Sequence, residues 1–393
     1  MLPLENIVVV SLEQAVAAPF TTRQLADWGA RVIKIERPGT GDFARYYDDS
    51  VQGLSSHFVW INRGKESLTL DLTQPQGQEI FHKLLKKADV FVQNLKPGAT
   101  DKLGIGSAAL HAQYPELICC DISGFGSDGP LRDRKAYDLL IQAESGLLSI
   151  TGTPDHPVKV GVSIADIAAG MYALTGILTA LLARNKQHGH GTIVEVSMLE
   201  ALGEWMSYPL YYSHYSGHAL ARTGPAHATI APYGPYPVGD GTVVYLGIQN
   251  EREWVRFCEE VLVRPDWVTD VRFRENASRV AHRDELDAQI QECFASLSHD
   301  QVVQRLDQAG IAYAQLNTME DMWNHPQLQA RHRWSTVETE KGPIAALLPP
   351  FNVGGVTPQM GPVPKLGEHA ETMLQELGYS AQTIAQFRRR KII

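Results

Sequence analysis

Short apolar runs rich in β-branched residues alternate with amphipathic stretches over the first third of the chain. Such runs predict buried strands, and apolar residues at helical spacing predict helices between them. The predicted strands are ENIVVVSL, RVIKIE, SLTLDL, ADVFVQNL and LICCDISGFG, and the predicted helices are PFTTRQLADWG and QPQGQEIFHKLLKKA. This alternation predicts an α/β fold with a parallel sheet and right-handed crossovers.

Parallel sheets of this kind bind ligands beyond the carboxyl ends of their strands. That rule places Arg37, Asn94 and the turn Ser123–Gly126 at the functional edge of the sheet. Arg37 follows the RVIKIE strand, where a guanidinium is suited to bind a phosphate with two parallel hydrogen bonds. The adjacent GTGD sequence lacks the spacing of a phosphate-binding loop, and we interpret it as a plain turn.

The pattern changes in the middle of the chain. Residues 163–202 predict helices, interrupted by the loop RNKQHGHG and the strand TIVEVSM, and residues 205–240 are rich in Tyr, His, Pro and Gly, which predicts a long ordered loop or linker. GTVVYLGI predicts a strand, and residues 251–310 predict a small helical unit. The 393 residues exceed the ~250–300 at which a single core usually stops growing, so we expect two domains.

Charge and cysteine usage narrow the class of protein. The net charge of −9, from 35 basic and 44 acidic residues, argues against a general nucleic-acid binder. The four cysteines lack CxxC spacing, and Cys119 and Cys120 lie in an apolar run that predicts buried thiols. This usage fits a reducing cytosol and predicts a cytoplasmic protein without a zinc site.

One segment, Val162–Ala183, is long and apolar enough to cross a membrane. Asp166 lies inside it, however, and small residues occur throughout it, which favours a helix packed closely inside the protein. The N-terminus has no basic region before its apolar run, so we do not expect a signal peptide or a membrane protein.

Two further chemistries find little support in the sequence. The histidines in His188–Gly191 (HGHG) lie in a loop without further metal ligands, so we predict no metal site. No GxSxG sequence is present, so a serine hydrolase is not indicated.

Asp166 is a lone carboxylate among apolar and small residues in GVSIADIAAG. Desolvation there should raise its pKa unless a hydrogen-bond donor compensates. From the residues alone, capping of a helix N-terminus is the favoured role, because aspartate is preferred there and the helix dipole stabilises its charge.

The chain as a whole resembles the class III CoA transferases, a family that includes formate- and carnitine-linked CoA transferases and α-methylacyl-CoA racemases. The resemblance covers nearly the whole chain and depends on several segments in order. They are GARVIKIERPGTGDFAR, NRGKESLTLDL, ADVFVQNLKPGATDKLGI, ISGFG followed by GP, KAYDLLIQAESGL, GVSIADIAAG and PKLGEHAETMLQELG.

The resemblance implies a catalytic aspartate at Asp166, which follows the turn ITGTPDHPVKV. It also implies a set of residues that contact CoA, at positions matching those of the family. These are Arg37, Leu70, Asp71, Leu72, Gln93, Asn94, Leu95, Lys102, Lys135 and Tyr137.

On the acceptor side, the resemblance places Val16 among the substrate-binding residues. Formate-linked relatives have a glutamine at this position, early in the first helix, so their acceptor geometry does not transfer. We assign recognition of a second carboxylate to Arg222, His227 and Tyr233, because a buried carboxylate needs a cation or several donors. A merely structural linker is the alternative for this region.

The activity implied by the resemblance is transfer of CoA between carboxylic acids through an aspartyl anhydride and an aspartyl-CoA thioester. The sequence is most similar to relatives that take CoA from succinyl-CoA to short dicarboxylates of the mesaconate, itaconate, citramalate or glutarate type. No cofactor would be permanently bound, because the CoA thioester is a substrate. The alternatives are an α-methylacyl-CoA racemase, whose histidine before an aspartate is replaced by Tyr137, and a CoA-binding protein without turnover.

The architecture implied by the resemblance is a Rossmann-like large domain built from both chain ends, a smaller central α+β domain, and an interlocked homodimer. We expect the large domain at 1–200 and 341–393, the small domain at 225–315, and linkers at 201–224 and 316–340.

Overall fold

The structure, a computed structural model, describes residues 1–186 and 189–393. It divides into two compact units, which are described separately. The larger comprises residues 1–147, 160–208 and 327–393, and the smaller comprises residues 148–159 and 209–326.

A six-stranded parallel sheet organises the larger unit. Its strands are β1 (Val8–Leu12), β2 (Arg31–Glu36), β3 (Lys65–Thr69), β4 (Val90–Gln93), β5 (Ile118–Ser123) and β6 (Ile193–Ser197). Their spatial order is β3-β2-β1-β4-β5-β6, the order of doubly wound folds. The structure thus confirms the predicted α/β fold and parallel sheet.

Helices connect and cover these strands. They are α1 (Ala17–Asp27), α2 (Ser56–Asn62), α3 (Pro75–Leu85), α4 (Ala99–Lys102), α5 (Ser107–Gln113), α6 (Asp138–Glu144), α8 (Ile164–Lys186) and α9 (Met198–Trp205), with a 3₁₀ turn at Phe43–Tyr46. Two further helices, α7 (Leu147–Ile150) and α10 (Ser207–Ser216), lie mostly in the smaller unit.

The two faces of the sheet bury separate apolar cores. Alternate strand residues such as Val9 and Cys120 pack with α1, α8 and α9 on one face. Their neighbours Val10 and Cys119 pack on the other face with α3 and with the C-terminal helices. Because side chains alternate along a strand, a doubly covered sheet needs continuous apolar runs, which is the pattern of the sequence. Both thiols are buried and free, as predicted.

The last part of the chain returns to the larger unit. It contributes the hairpin β10 (Trp334–Val337) and β11 (Ile344–Leu347) and the helices α17 (Ala370–Glu376) and α18 (Ala381–Arg389). The backbone carbonyl of Ile392 accepts a hydrogen bond from the N–H of Asp71 (2.8 Å), which fixes this end of the chain beside the β3–α3 connection.

The smaller unit contains a three-stranded antiparallel sheet, β7 (Tyr233–Pro237), β8 (Val243–Gly247) and β9 (Ala312–Gln315). Its core includes Trp254, Phe257, Trp267 and Phe294. The helices are α11 (Glu251–Arg256), α12 (Asn276–Ala281), α13 (Arg283–Phe294), α14 (His299–Ala309) and α15 (Met319–Trp323), with a π-helical segment at Phe257–Leu262 and a 3₁₀ turn at Pro265–Val268. The next helix, α16 (Pro326–Ala330), lies almost entirely in the larger unit.

Residues 205–240 are more regular than their composition predicts, because they contain α10 and β7. Pro209 lies in the first turn of α10, where a missing N–H costs no helical hydrogen bond. In β7, Tyr236 is buried while its neighbours Pro235 and Pro237 are more exposed, so one face of the strand packs although its sequence reads as a loop.

Helix α8 is the segment that raised the question of a membrane span. By length and composition it could cross a membrane, but half of its most apolar window is buried inside the protein. The Thr21 hydroxyl on α1 donates a hydrogen bond to the carbonyl of Gly170 (2.9 Å), and the alanines of both helices face each other. A helix of the protein core explains its composition.

The close approach of α1 and α8 predicts that Gly170→Ala destabilises the protein. A Cβ at this position would lie 2.8 Å from the carbonyl oxygen of Ala17 and 2.9 Å from the Phe20 ring, so backbone must shift. We expect a loss of about 1–3 kcal/mol in the free energy of unfolding, measured by urea denaturation.

The matched control is Gly203→Ala in α9, where an added Cβ would meet nothing within 4 Å. We expect this change to be neutral or to stabilise by up to about 1 kcal/mol through helix propensity. Equal effects of the two substitutions would contradict the packing argument.

Candidate active site

The β1–α1 turn is held by charges enclosed beneath the carboxyl ends of the strands. Lys65 Nζ lies 2.6 Å from Glu13 Oε1, and Lys34 Nζ lies 2.8 Å from Asp42 Oδ2 and 3.4 Å from Glu13 Oε1. All four side chains are buried. Burial opposes ionisation of Glu13, but the two lysines hold the pKa of Glu13 below its usual range.

Asp42 connects this cluster to the turn itself. Its Oδ1 accepts hydrogen bonds from the backbone N–H groups of Ala15 (3.2 Å) and Ala44 (2.9 Å). Ala15 adopts a left-handed conformation with φ of 59°, which is unusual for a residue with a side chain. The carboxylate therefore fixes the turn that begins α1.

Asn94 fixes the same turn from the neighbouring strand. Its Oδ1 accepts from the Gln14 N–H (2.9 Å) and its Nδ2 donates to the Gln14 carbonyl (2.8 Å). Gln93 Oε1 accepts from the Leu95 N–H, while Gln93 Nε2 donates to Asp121 (both 2.8 Å). The amides of these two predicted CoA contacts thus hold the ends of the strands.

A cavity of about 160 Å³ opens beyond the carboxyl ends of β1 to β4. Of the predicted CoA contacts, Arg37, Leu70, Asp71, Leu72 and Leu95 line it. Gln93, Asn94 and Lys102 are not among its lining residues. The other lining residues, which the sequence did not single out, are Leu12, Glu13, Gln14, Ile35, Glu36, Gly41, Asp42, Thr73 and Leu103.

The cavity is lined by hydrogen-bonded carboxylates and by the exposed guanidinium of Arg37. The Asp71 carboxylate accepts hydrogen bonds from Thr73 and Gln74, which lowers the pKa of Asp71. Arg37 is exposed, as are Lys102 at the end of α4 and Lys135 before α6. The cavity therefore joins apolar surface to the exposed guanidinium of Arg37, a combination suited to an anionic ligand with an apolar part.

Asp166 lies in the first turn of α8 and is partly buried. No group in residues 1–186 or 189–393 donates a hydrogen bond to its carboxylate. Burial raises the pKa of Asp166 to about 7, and repulsion from Asp138 adds to the effect. The sequence predicted a raised pKa in the absence of a compensating donor, and the structure agrees.

Asp138 rather than Asp166 accepts the hydrogen bonds that begin the helix. Its Oδ1 accepts from the backbone N–H of Ala165 (2.8 Å) and from that of Asp166 (3.4 Å). The capping role that composition favoured for Asp166 is therefore wrong. Sequence reasoning missed Asp138 as the cap because the capping contact spans 27 residues.

Two tyrosines and the start of α1 complete the surroundings of Asp166. Tyr137 precedes α6 and is exposed. Burial, followed by the charges of Asp42 and Asp166, raises the pKa of Tyr47 to about 12. Val16 is buried immediately before α1. The next residue, Ala17, packs against Gly170 of α8, one turn beyond Asp166. Tyr47 was not predicted, since its sequence YYDD carries no distinctive signal.

The predicted acceptor-binding residues lie in the smaller unit. Arg222 donates hydrogen bonds to the backbone carbonyls of Ser149 (3.3 Å), Thr153 (2.9 Å) and Pro154 (2.6 Å). His227 and Tyr233 stack with ring centroids 5.3 Å apart and planes 6° apart. Arg222 therefore braces a turn in this structure, a role that the sequence did not indicate.

The described residues contain no group of three or more His, Cys, Asp or Glu side chains suited to hold a metal ion. Of the loop considered above, His188 lies outside the described residues.

The chain is similar to known proteins in both sequence and fold. The model of a family described as CoA-transferase family III matches residues 4–370. A succinate–glutarate CoA-transferase of Agrobacterium fabrum is 33% identical, over 95% of this chain and 96% of the relative. An acetyl-CoA:oxalate CoA-transferase of Acetobacter aceti is 35% identical, over 84% of this chain and 85% of the relative. A crystal structure of a CAIB/BAIF family protein from Brucella suis is similar with a TM-score of 0.83 and 32% identity, covering 96% of this chain and 99% of that one.

The unpaired carboxylate predicts that Asp166→Asn stabilises the protein at pH 8. A raised pKa in the folded state means that the ionised form is disfavoured there. The free energy of unfolding therefore falls as the pH rises from 3.8, the ordinary pKa of an aspartate, to about 7, the pKa of Asp166 in the folded protein. We expect the substitution to add about 2–4 kcal/mol to the free energy of unfolding above pH 7, and to add nothing below pH 4.

Urea denaturation between pH 4 and pH 8 measures this gain. Glu340→Gln, which removes an exposed carboxylate between β10 and β11, is the control and should show no such dependence on pH. A gain that stays constant over the range would contradict the assignment of the shift to Asp166.

Proposed function

The chain belongs to CoA-transferase family III and is a CoA transferase, and we propose that it transfers CoA by covalent catalysis at Asp166. The observation that carries the proposal is the partly buried Asp166 carboxylate, which has no hydrogen-bond donor within the described residues. A carboxylate that is neither solvated nor paired is a stronger nucleophile than one at the surface.

The proposed reaction begins with attack of an Asp166 oxygen on the thioester carbonyl of the donor. The carbon–sulfur bond breaks, which leaves a mixed anhydride and the CoA thiolate. The thiolate then attacks the aspartyl carbonyl of the anhydride, which releases the donor acid and forms an aspartyl-CoA thioester. The acceptor carboxylate attacks this thioester to give a second anhydride, and the returning thiolate yields the new acyl-CoA and free Asp166.

The energy balance of this exchange requires neither ATP nor a metal. One thioester replaces another of similar energy, and each anhydride is an intermediate on the path from one thioester to the next. The transition states carry negative charge on the carbonyl oxygen, which preorganised donors would stabilise.

We place the CoA moiety in the cavity beyond β1 to β4. Leu70, Leu72 and Leu95 offer apolar surface, and the exposed Arg37 offers a cation for phosphate. Lys102, Lys135 and Tyr137 stay predictions, as do contacts from Gln93 and Asn94, whose amides already bind the protein.

We further propose succinyl-CoA as donor and a short dicarboxylate as acceptor. The activities of the similar proteins named above, succinate–glutarate and acetyl-CoA:oxalate CoA transfer, both involve dicarboxylates. Val16, Arg222, His227 and Tyr233 stay the predicted acceptor contacts. The interlocked homodimer and the cytoplasmic location also stay predictions.

The racemase alternative has less support. Racemisation needs an acid and a base on opposite faces of the α-carbon. The residue before Asp138 is Tyr137, so the imidazole of racemase relatives is missing. A CoA-binding protein without turnover is excluded by membership in a family of transferases.

Replacement of Asp166 by Asn or Ala should abolish transfer. We expect kcat to fall by about 10³-fold or more, because the covalent intermediates cannot form. In the wild-type enzyme, hydroxylamine added with succinyl-CoA should convert Asp166 alone to a hydroxamate, detected by peptide mass spectrometry. The rate of the donor half-reaction should rise with pH through about 7, where Asp166 loses its proton.

Glu340→Gln is again the control and should retain full activity. Near wild-type transfer by Asp166→Asn, or labelling of another carboxylate, would rule out the proposed nucleophile.

Recognition of a dicarboxylate by Arg222 can be separated from its role as a brace. If Arg222 binds the distal carboxylate, Arg222→Ala should raise KM for dicarboxylate acceptors about tenfold or more. Acceptor-independent hydrolysis of the acyl-CoA should be unchanged. A panel of dicarboxylates with succinyl-CoA, followed by the mass of the product thioester, provides the measurement.

Arg274→Ala, which removes another exposed arginine of the smaller unit, is the matched control. Unchanged kinetics with every dicarboxylate would remove Arg222 from acceptor binding. A lower melting temperature with equal losses in both reactions would identify it as a brace alone.

A further inference from the structure

The N-terminus of α8 is satisfied by a side chain from another helix. Asp138 Oδ1 accepts the N–H groups of Ala165 (2.8 Å) and Asp166 (3.4 Å). The free N–H groups of a helix N-terminus ordinarily stabilise a carboxylate in its first turn. Because Asp138 takes these donors, they are not available to the Asp166 carboxylate that lies beside them.

Asp138 is itself held by Gln142, one turn further along α6. Gln142 Nε2 donates to Asp138 Oδ2 (2.7 Å), and Gln142 Oε1 accepts from the backbone N–H of Val160 (2.9 Å). Gln142 is completely buried. Since a flipped amide would lose both hydrogen bonds, its orientation is fixed by the two contacts.

These contacts form one chain from Val160 through Gln142 and Asp138 to the first turn of α8. We propose that Asp138 and Gln142 are positioning residues that hold this turn and keep the Asp166 carboxylate free of donors, ready for nucleophilic attack. The inference rests on the proposed role of Asp166. It adds two residues that act through Asp166 rather than on the substrate.

Further ionisable groups lie on the elements that pack against α8. Within the described residues, Asp138 is the group whose charge acts on Asp166 alongside burial. The remaining groups are Tyr47 and Tyr137, Arg23 and Asp27 on α1, Asp121 on β5, Glu195 on β6, and Glu200 and Glu204 on α9. Asp27 pairs with both Arg23 (2.6 Å) and Arg63 (2.8 Å), so one carboxylate is shared between two guanidinium groups.

Asp138→Asn tests the hydrogen bonds and the charge together. If the asparagine oxygen faces the helix, its NH₂ group meets the NH₂ group of Gln142. Turning the asparagine instead sets its NH₂ group against the Ala165 N–H, and turning Gln142 sets its NH₂ group against the Val160 N–H. We expect kcat to fall about tenfold or more through misplacement of Asp166, with KM for the acyl-CoA within about twofold. The acid limb of the pH profile of kcat/KM should move down by about one pH unit, because the negative charge beside Asp166 is removed.

The double variant Asp138→Asn with Gln142→Glu restores the hydrogen bonds and moves the charge. The asparagine oxygen then accepts from the Ala165 N–H, and its NH₂ group donates to one glutamate oxygen while the other accepts from the Val160 N–H. We expect kcat to recover to within about threefold of the wild type, because the first turn of α8 is held again.

The matched control is Glu144→Gln, which removes a carboxylate from the same helix. Glu144 is exposed and forms a surface pair with Arg134 at 3.3 Å. We expect kcat and the acid limb to stay unchanged in this variant.

A second readout separates this inference from the proposed function. The ¹³C carboxyl resonance of Asp166, assigned by its loss in Asp166→Asn, can be titrated without substrate. A lower pKa of Asp166 in the Asp138→Asn variant supports the inference. Transfer retained by Asp166→Asn would rule out Asp166 as the nucleophile but would leave this titration result standing.

An unchanged titration together with unchanged kcat in Asp138→Asn would overturn the inference. Loss of kcat that the double variant does not recover, with an unchanged Asp166 titration, would also overturn it, since a general structural role would then suffice.

Discussion

The ion pairs of Glu13, Lys34, Asp42 and Lys65 are the constraint on which the ligand-binding edge of the sheet depends. Four enclosed charges are tolerable only if each is paired and hydrogen-bonded, because removal of one partner leaves an uncompensated charge at a cost of about 3–5 kcal/mol. Their geometry is therefore fixed more tightly than apolar packing alone would fix it. Through Asp42 that rigidity passes to Ala15 and to the start of α1, and from α1 to the close contact with α8.

Asp166 is the opposite case within the same layer of the protein. Glu13 and Asp42 are paired with lysines, whereas within the described residues the Asp166 carboxylate accepts no hydrogen bond, and burial and the like charge of Asp138 raise its pKa. A folded protein gains stability by pairing such a group, so its persistence without a partner is a local loss of stability. Losses of this kind occur where a reactive group is needed, and here the rigid α1–α8 contact holds the group in place.

Much of this could be predicted from the order of residues. The parallel sheet follows from apolar runs such as ENIVVVSL, since a doubly covered sheet requires them, and the raised pKa of Asp166 follows from its apolar neighbours. The partners of polar side chains could not be predicted. Asp138 reaches α8 across 27 residues, and Asn94 reaches Gln14 across 80, because tertiary contacts and not local sequence select them. Helix α10 was not predicted for a related reason. Its composition favours a loop, and the tertiary structure around it, which the local sequence does not reveal, determines that it is helical.

The charges at the site also explain why an exchange in two separate steps suits this chain. While Asp166 and Asp138 are both ionised, a dicarboxylate acceptor approaching Asp166 would add two like charges to two others in a poorly solvated space. In the proposed mechanism, conversion of Asp166 to an anhydride or a thioester removes its charge before the acceptor attacks. The acceptor then meets one carboxylate, Asp138, whose oxygens are occupied by the N–H groups of α8 and by Gln142. In the proposed mechanism, acylation of Asp166 therefore favours approach of the acceptor, because it removes one like charge from the site.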